Sequence, residues 1–158
     1  MQLSPIGEKL IKLSEALVLK VYPDIHGVLT AGWGHTGWYA PGVPLALNQV
    51  VTEELAEQWF FQDTADAVQA VNKHVTVPIT QNQFDALADF TFNLGAAALA
   101  HSTLLKFLNA GHPDDAANEL LRWDYAGGHQ VAGLEDRRRL ERELFLTAPG
   151  ARPPVELL

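Results

Sequence analysis

Two carboxylates and a hydroxyl, Glu15, Asp24 and Thr30, stand close together near the start of the chain. Residues of these types can divide a hydrolytic reaction between them. One carboxyl, kept protonated by apolar surroundings, gives a proton to a leaving oxygen. The other, ionised, orients a water with the help of the hydroxyl. Cleavage of a glycosidic bond needs that division of labour. Spacing alone is a weak signal, because Glu and Asp nine positions apart also occur as Glu54/Asp63 and Glu57/Asp66. Only the first pair has Thr six residues further on. With 10 Glu, 9 Asp and 9 Thr in 158 residues, chance supplies roughly 0.03 such triplets per chain. The context of the triplet must therefore decide between chemistry and a surface hairpin with ordinary exposed acids.

That context is strand and turn. Val18, Leu19, Val21 and Tyr22 form an apolar, β-prone run, Pro23-Asp24 with Gly27 supplies turn residues, and Val28-Leu29-Thr30 resumes a strand. Ahead of it, Ser4 is a candidate N-cap, Pro5 suits the first helical position, and Ile6, Leu10, Leu13 and Leu17 recur at helical spacing. The pattern predicts a helix over 5–15, so that Glu15 sits at its end and Asp24 and Thr30 at neighbouring strand ends facing a common groove. The segment from His35 to Gly42 reads as loop. Trp33, Trp38 and Tyr39 are placed either to line a sugar groove or to cap a small core.

A long helix is predicted over about 52–72, with Thr52 as cap and Glu53 and Glu54 at the positive end of its dipole. After Val77-Pro78, Thr80 and Gln83 form a capping box ahead of an apolar stripe at Phe84, Leu87, Ala88, Thr91 and Phe92, which Gly95 should stop. Further helices are expected at 102–109, 113–123 and 134–147, with a Pro-rich end that frays.

The run SEALVLKVYPD…GVLTAGWGHTG resembles the catalytic segment of the bacteriophage-type lysozymes, or endolysins, of glycoside hydrolase family 24. That segment typically reads SEG-x-x-L-x-x-Y-x-D…G-x-x-T-x-G-Y-G-H-T. VPITQNQFDALADFTFNLG, STLLKFLNAG, ELLRWDYAGG and GL-x-x-RR-x-x-ER-x-LF are similar to the family's later blocks, in the same order, so the likeness runs from about Ser4 to Thr147. Ala16 stands where the family usually has Gly, and Trp33 where Tyr is common. Since Ala favours an ordinary backbone conformation, the first helix is expected to end slightly later than in relatives.

The resemblance implies an α+β, mostly α, lysozyme-like fold in a single domain over 1–158. It would have a small lobe with a short antiparallel sheet (about 15–50), a linking helix (about 52–72), a helical lobe (about 78–147) and a frayed tail (148–158). It implies a muramidase that hydrolyses the β-1,4 bond between N-acetylmuramic acid and N-acetylglucosamine in peptidoglycan and so lyses bacteria. Glu15 would be general acid, and Asp24 with Thr30 would position the attacking water, an arrangement suggesting inversion. The family pairs its catalytic Glu with an Arg of the last long helix, which falls on Arg137, with Arg138 next. The competing reading of Arg137 is a structural salt bridge. Asn93 is implied as a substrate contact. His35 reads as a hydrogen-bonded structural histidine more readily than as a proton shuttle, and is kept as a candidate substrate-binding or orienting group.

Composition bounds these readings. Hydrophobic content of 47% and charged content of 19% fit a globular domain. The absence of Cys removes thiolate metal sites and thiol nucleophiles, and the six His show no HExxH spacing, so a zinc amidase fits poorly and no metal or other cofactor is expected. A net charge of −8 argues against nucleic acid as partner, and gives no attraction to an anionic cell wall. The Arg137-Arg138-Arg139 and Arg142 cluster is interleaved with acids, as on a solvated helix face. No signal peptide or long apolar run is visible. The expectation is therefore a monomer made in the host cytoplasm, not inserted in the membrane, reaching periplasmic peptidoglycan through a holin, as the family implies. The alternatives are a lytic transglycosylase, a non-catalytic peptidoglycan-binding protein of the same fold, and a bacterial autolysin or toxin with the same chemistry.

Overall fold

The computed structural model describes residues 1–126 and 128–158. It is mostly helical with small antiparallel sheets, as the alternation of helical and strand periodicities predicts. Two units divide the chain: residues 12–65 form one, and residues 1–11 with 66–158 form the other. Helix α1 (Pro5–Glu15) and helix α2 (Glu53–His74) each begin in one unit and end in the other.

In the smaller unit, β1 (Val18–Pro23), β2 (Leu29–Gly32) and β3 (His35–Thr36) make an antiparallel sheet in that order. The register pairs Tyr22 with Thr30, Pro23 with Leu29, Thr30 with Thr36 and Ala31 with His35. The free edge of β1 is covered by the segment 48–51: Val21 N–H donates to the Gln49 carbonyl at 2.9 Å and Val51 N–H to that of Leu19 at 3.0 Å. Such pairing satisfies an edge that would otherwise recruit other chains. The stretch expected as loop forms a hairpin instead, β4 (Trp38–Ala40) with β5 (Val43–Pro44). Val21, Ala31, Leu45, Val51, Ala56, Trp59 and Phe60 are buried in this unit. At the start of α2, Thr52 Oγ1 accepts from Leu55 N–H at 3.2 Å, the expected cap.

The larger unit is built on α3 (Gln81–Leu94). Its capping box is formed, with Thr80 Oγ1 accepting from Gln83 N–H at 3.1 Å and Gln83 Oε1 accepting from Thr80 N–H at 2.9 Å. Every residue from Phe84 to Thr91 is buried, so α3 is covered on all sides rather than along one stripe. Around it lie α4 (Ala96–His101), α5 (Thr103–Asn109), α6 (Pro113–Leu120), the short hairpin β6 (Tyr125–Ala126) with β7 (His129–Gln130), and α7 (Ala132–Leu146), which packs along α3. Helix α4 differs from the expectation that Gly95 stops the helical run. At φ 88° it ends α3 and begins the next helix at once.

The end of the chain is a further difference. Residues expected to fray close with a 3-10 turn at Val155–Leu157, where Leu157 is buried with Leu10 and Leu144 and Lys9 Nζ donates to the Leu158 carbonyl. One apolar anchor offsets the cost of ordering a Pro-rich segment whose backbone is already restricted. Among the described residues no helix is long and apolar enough to cross a membrane.

Candidate active site

Glu15 is the last residue of α1. The helix stops there because Ala16 turns into the left-handed region, φ 57°, and its N–H donates back to the Lys12 carbonyl at 3.1 Å. This is the single-bond left-handed cap that Gly usually makes. The ordinary backbone conformation expected of Ala is not the one found at residue 16: tertiary placement of the following strand outweighs the local preference. The β2–β3 turn comes close to Glu15, since a Cβ on Gly34 would lie 3.0 Å from Glu15 Oε2. Gly34 also has φ 82°, so both space and backbone conformation call for glycine. Lys12, one turn earlier on α1, steadies this turn. Its Nζ lies 2.8 Å from both carboxylate oxygens of Glu57 and stands over the rings of Trp33 and Phe60, 4.4 and 4.6 Å from their centroids. Trp33 is therefore a core residue, 8% exposed and edge-on to Phe60.

Asp24 follows β1 directly and opens the turn to β2. Its Oδ1 accepts from the N–H groups of His26 and Val28, each at 2.8 Å, while its own N–H donates to the Val28 carbonyl at 2.9 Å. The Val28 N–H holds the Asp24 carboxyl below its ordinary value; slight burial opposes this, and the N–H groups of His26 and Gly27 and the nearby His26 side chain add to it. Asp24 is thus ionised at neutral pH. Thr30 pairs with Tyr22 and shares its face of the hairpin, and Asp24 follows the end of β1 at the turn, so Asp24 and Thr30 lie at the same end of the hairpin. The Thr30 hydroxyl donates to the Val28 carbonyl at 3.0 Å, which leaves its oxygen lone pairs as the acceptor side.

His35 is on the other face. It pairs with Ala31, while Thr30 pairs with Thr36, and alternation along the strands separates the two sets. Its Nδ1 lies 2.8 Å from Asp63 Oδ2 and its Nε2 2.9 Å from the Trp38 carbonyl. Both partners are acceptors, so both bonds form only when the ring carries two protons. Burial works against that charge, but the bonds to Asp63 and the Trp38 carbonyl outweigh it and raise the His35 pKa. The ring also stacks on Trp59 at 4.2 Å. Asp63 was not singled out from the sequence, yet a signal was there: it lies four residues after Trp59, on one face of α2.

Arg137 and Asn93 belong to the larger unit. Asp89 grips Arg137 with two bonds, Nε to Oδ2 at 3.0 Å and Nη2 to Oδ1 at 2.6 Å, and Arg138 Nη2 donates to Asn93 Oδ1 at 2.6 Å. Asp89, Arg137, Arg138 and Glu141 are all buried. Arg137 and Arg138 are thus not on a solvated face, as the mixed charge pattern suggested, whereas Arg139 is exposed and pairs with Asp136 at 3.2 Å. Burial, and then the neighbouring Asp89, push the Glu141 carboxyl well above the usual carboxylate range. Among the described residues no group of three His, Cys, Asp or Glu side chains is placed to hold a metal ion.

The geometry can be set beside known proteins. The endolysin of Bacillus phage B103 is 43% identical over 149 residues, covering 93% of this chain and 55% of its own length, so the chain spans about half of that relative. The endolysin from Escherichia coli O157:H7 phage FAHEc1 superposes with a TM-score of 0.85 at 38% identity, covering 98% of this chain and 97% of that one. The muramidase domain of SpmX from Asticaccaulis excentricus gives 0.83 at 36% identity, covering 93% and 99%. With residues 12–141 matching the family described as phage lysozyme, the chain belongs to the phage lysozyme family.

Proposed function

We propose that the protein is a muramidase of the endolysin type, hydrolysing the β-1,4 bond between N-acetylmuramic acid and N-acetylglucosamine in peptidoglycan. Glu15 gives its proton to the glycosidic oxygen. Asp24, as carboxylate, and the Thr30 oxygen hold a water that attacks the anomeric carbon from the opposite side, inverting its configuration. The observation that carries the reading is the hairpin itself: turn N–H groups keep Asp24 ionised at the end of the hairpin that bears Thr30. Membership of the phage lysozyme family, and relatives named endolysin and muramidase domain, support the substrate and the bond cleaved. The substrate is met as a glycan strand in the periplasm, after release from the cytoplasm by a holin.

The test is mass spectrometry of the soluble products from purified peptidoglycan. Wild type should yield reducing-end muropeptides, and Glu15→Gln none. Asp24→Asn, which can keep the turn bonds through its amide oxygen, should lose about 10²–10⁴-fold in rate while staying folded and melting slightly below wild type, since the carboxylate's charge no longer strengthens those bonds. Anhydro-muropeptides would replace hydrolysis by transglycosylation. No products from folded wild type would leave a binding protein.

A further inference from the structure

A cavity of about 500 Å³ opens in the smaller unit on the His35 side of the sheet, opposite to Thr30. We propose that it is a second glycan-binding site, taking a neutral N-acetylhexosamine residue without contact to Glu15, Asp24 or Thr30. Trp38, Tyr39 and Trp59 line it with aromatic faces and edges. Trp38 is 58% exposed, a large apolar ring left in water beside a concavity, which is the surface that the C–H face of a sugar ring covers. Gln58 and Gln62, one turn apart on α2, stand at the rim. Among the described residues neither their amides nor the Tyr39 hydroxyl makes a hydrogen bond. An amide offers donors and an acceptor together, which suits hydroxyl and acetamido groups.

Charge narrows the ligand. Among the described residues no Lys, Arg, Asp or Glu lines the cavity. His35 reaches it, but both its ring nitrogens are committed to Asp63 and to the Trp38 carbonyl. A neutral sugar fits such a wall, and the carboxylates of a muramyl peptide do not. The site is also built in advance. The chain from Asp63 through His35 to the Trp38 carbonyl fixes the β4 backbone, and the Tyr39 ring stands edge-on to Trp59 at 5.9 Å. Little ordering remains for the ligand to impose. A second grip of this kind keeps a polymer close to the enzyme without entering the reaction. The proposal concerns binding and does not depend on the catalytic roles given above.

The experiment is a titration of ¹⁵N-labelled protein with N,N′,N″-triacetylchitotriose, following the indole N–H signals of the four tryptophans. The Trp38 and Trp59 signals should move and saturate, and that of Trp123 should stay. The double variant Gln58→Ala/Gln62→Ala alters only exposed helix positions, so it folds. It should weaken the Trp38 response about tenfold or more, the loss of two ligand hydrogen bonds. Maltotriose, which lacks acetamido groups, should leave Trp38 unmoved. A static Trp38 signal, an undiminished response in the double variant, or an equal response to maltotriose would each overturn the proposal.

Discussion

Replacing Ala16 by Gly should stabilise the protein, although it removes a methyl group and loosens the unfolded chain. Ala16 sits at φ 57°, where the Cβ of an L-residue crowds the following carbonyl at a cost of about 1–2 kcal/mol. Gly escapes that cost but loses about 0.4–1 kcal/mol through the greater freedom of the unfolded state. Ala16 is exposed, so no packing is forfeited. The bond from the residue 16 N–H to the Lys12 carbonyl survives the change. The balance favours Gly by about 1 kcal/mol, or roughly 2–4 °C in Tm for a chain of this size. Urea titration and thermal melting at one pH read it directly. Ala16→Val, with a branched Cβ in the same conformation, should shift the opposite way. An Ala16→Gly variant that melts at or below the wild-type temperature would mean that the left-handed cap carries no strain and that the account of how α1 ends is wrong.

Other positions give equally specific expectations. Arg137→Ala leaves Asp89 buried without its bidentate partner and should cost about 3–5 kcal/mol in urea denaturation. Replacing both by apolar residues, as Asp89→Leu with Arg137→Met, should recover most of the loss, and a double variant as weak as the single one would refute the assignment. The activity of Arg137→Ala, measured per folded molecule, separates an orienting role from this structural one. Gly7→Ala favours helix by about 1 kcal/mol, yet its Cβ would lie 2.6 Å from Oδ1 of the buried Asp85, which bonds to Ser4 and Gln81 and cannot withdraw. A net loss of about 1–2 kcal/mol is expected, and a stabilised variant would contradict the packing. For His35, whose pKa is raised above 6.5, the stabilisation is complete below 6.5 and disappears as pH rises through the folded value. Asp63→Asn should therefore lower Tm most below pH 6.5, by an amount that shrinks towards alkaline pH, and a pH-independent gap would exclude the pairing.

Much of this was legible because the signals were local. Pro5 at a helix start, Thr80 with Gln83 as a capping box, and the alternation of Val28 to Thr30 each depend on residues a few positions apart, and the elements form where those residues place them. What stayed hidden depended on the rest of the fold. Ala16 prefers a right-handed backbone on its own, and only the direction of β1 forces the left-handed cap. Gly95 reads as a stop whether or not a second helix follows. The four arginines of α7 look solvated in a sequence that alternates charge, yet Arg137 and Arg138 lie buried, with Asp89 and Asn93 as partners contributed by α3, more than forty residues away. His35 stands five residues after Thr30, and the register of a short sheet puts it on the opposite face. Chemistry-bearing residue types were visible, whereas their partners and faces needed tertiary structure.

In the proposed mechanism Asp24 and Thr30 hold a water rather than attack the sugar. Proton NMR of the first products released from a soluble glycan fragment of peptidoglycan tests it most directly, since the new reducing end is seen before it mutarotates. The α-anomer should appear first and relax to the equilibrium mixture. A first product in the β-anomer would mean retention through a covalent intermediate, and would contradict the role given to both residues.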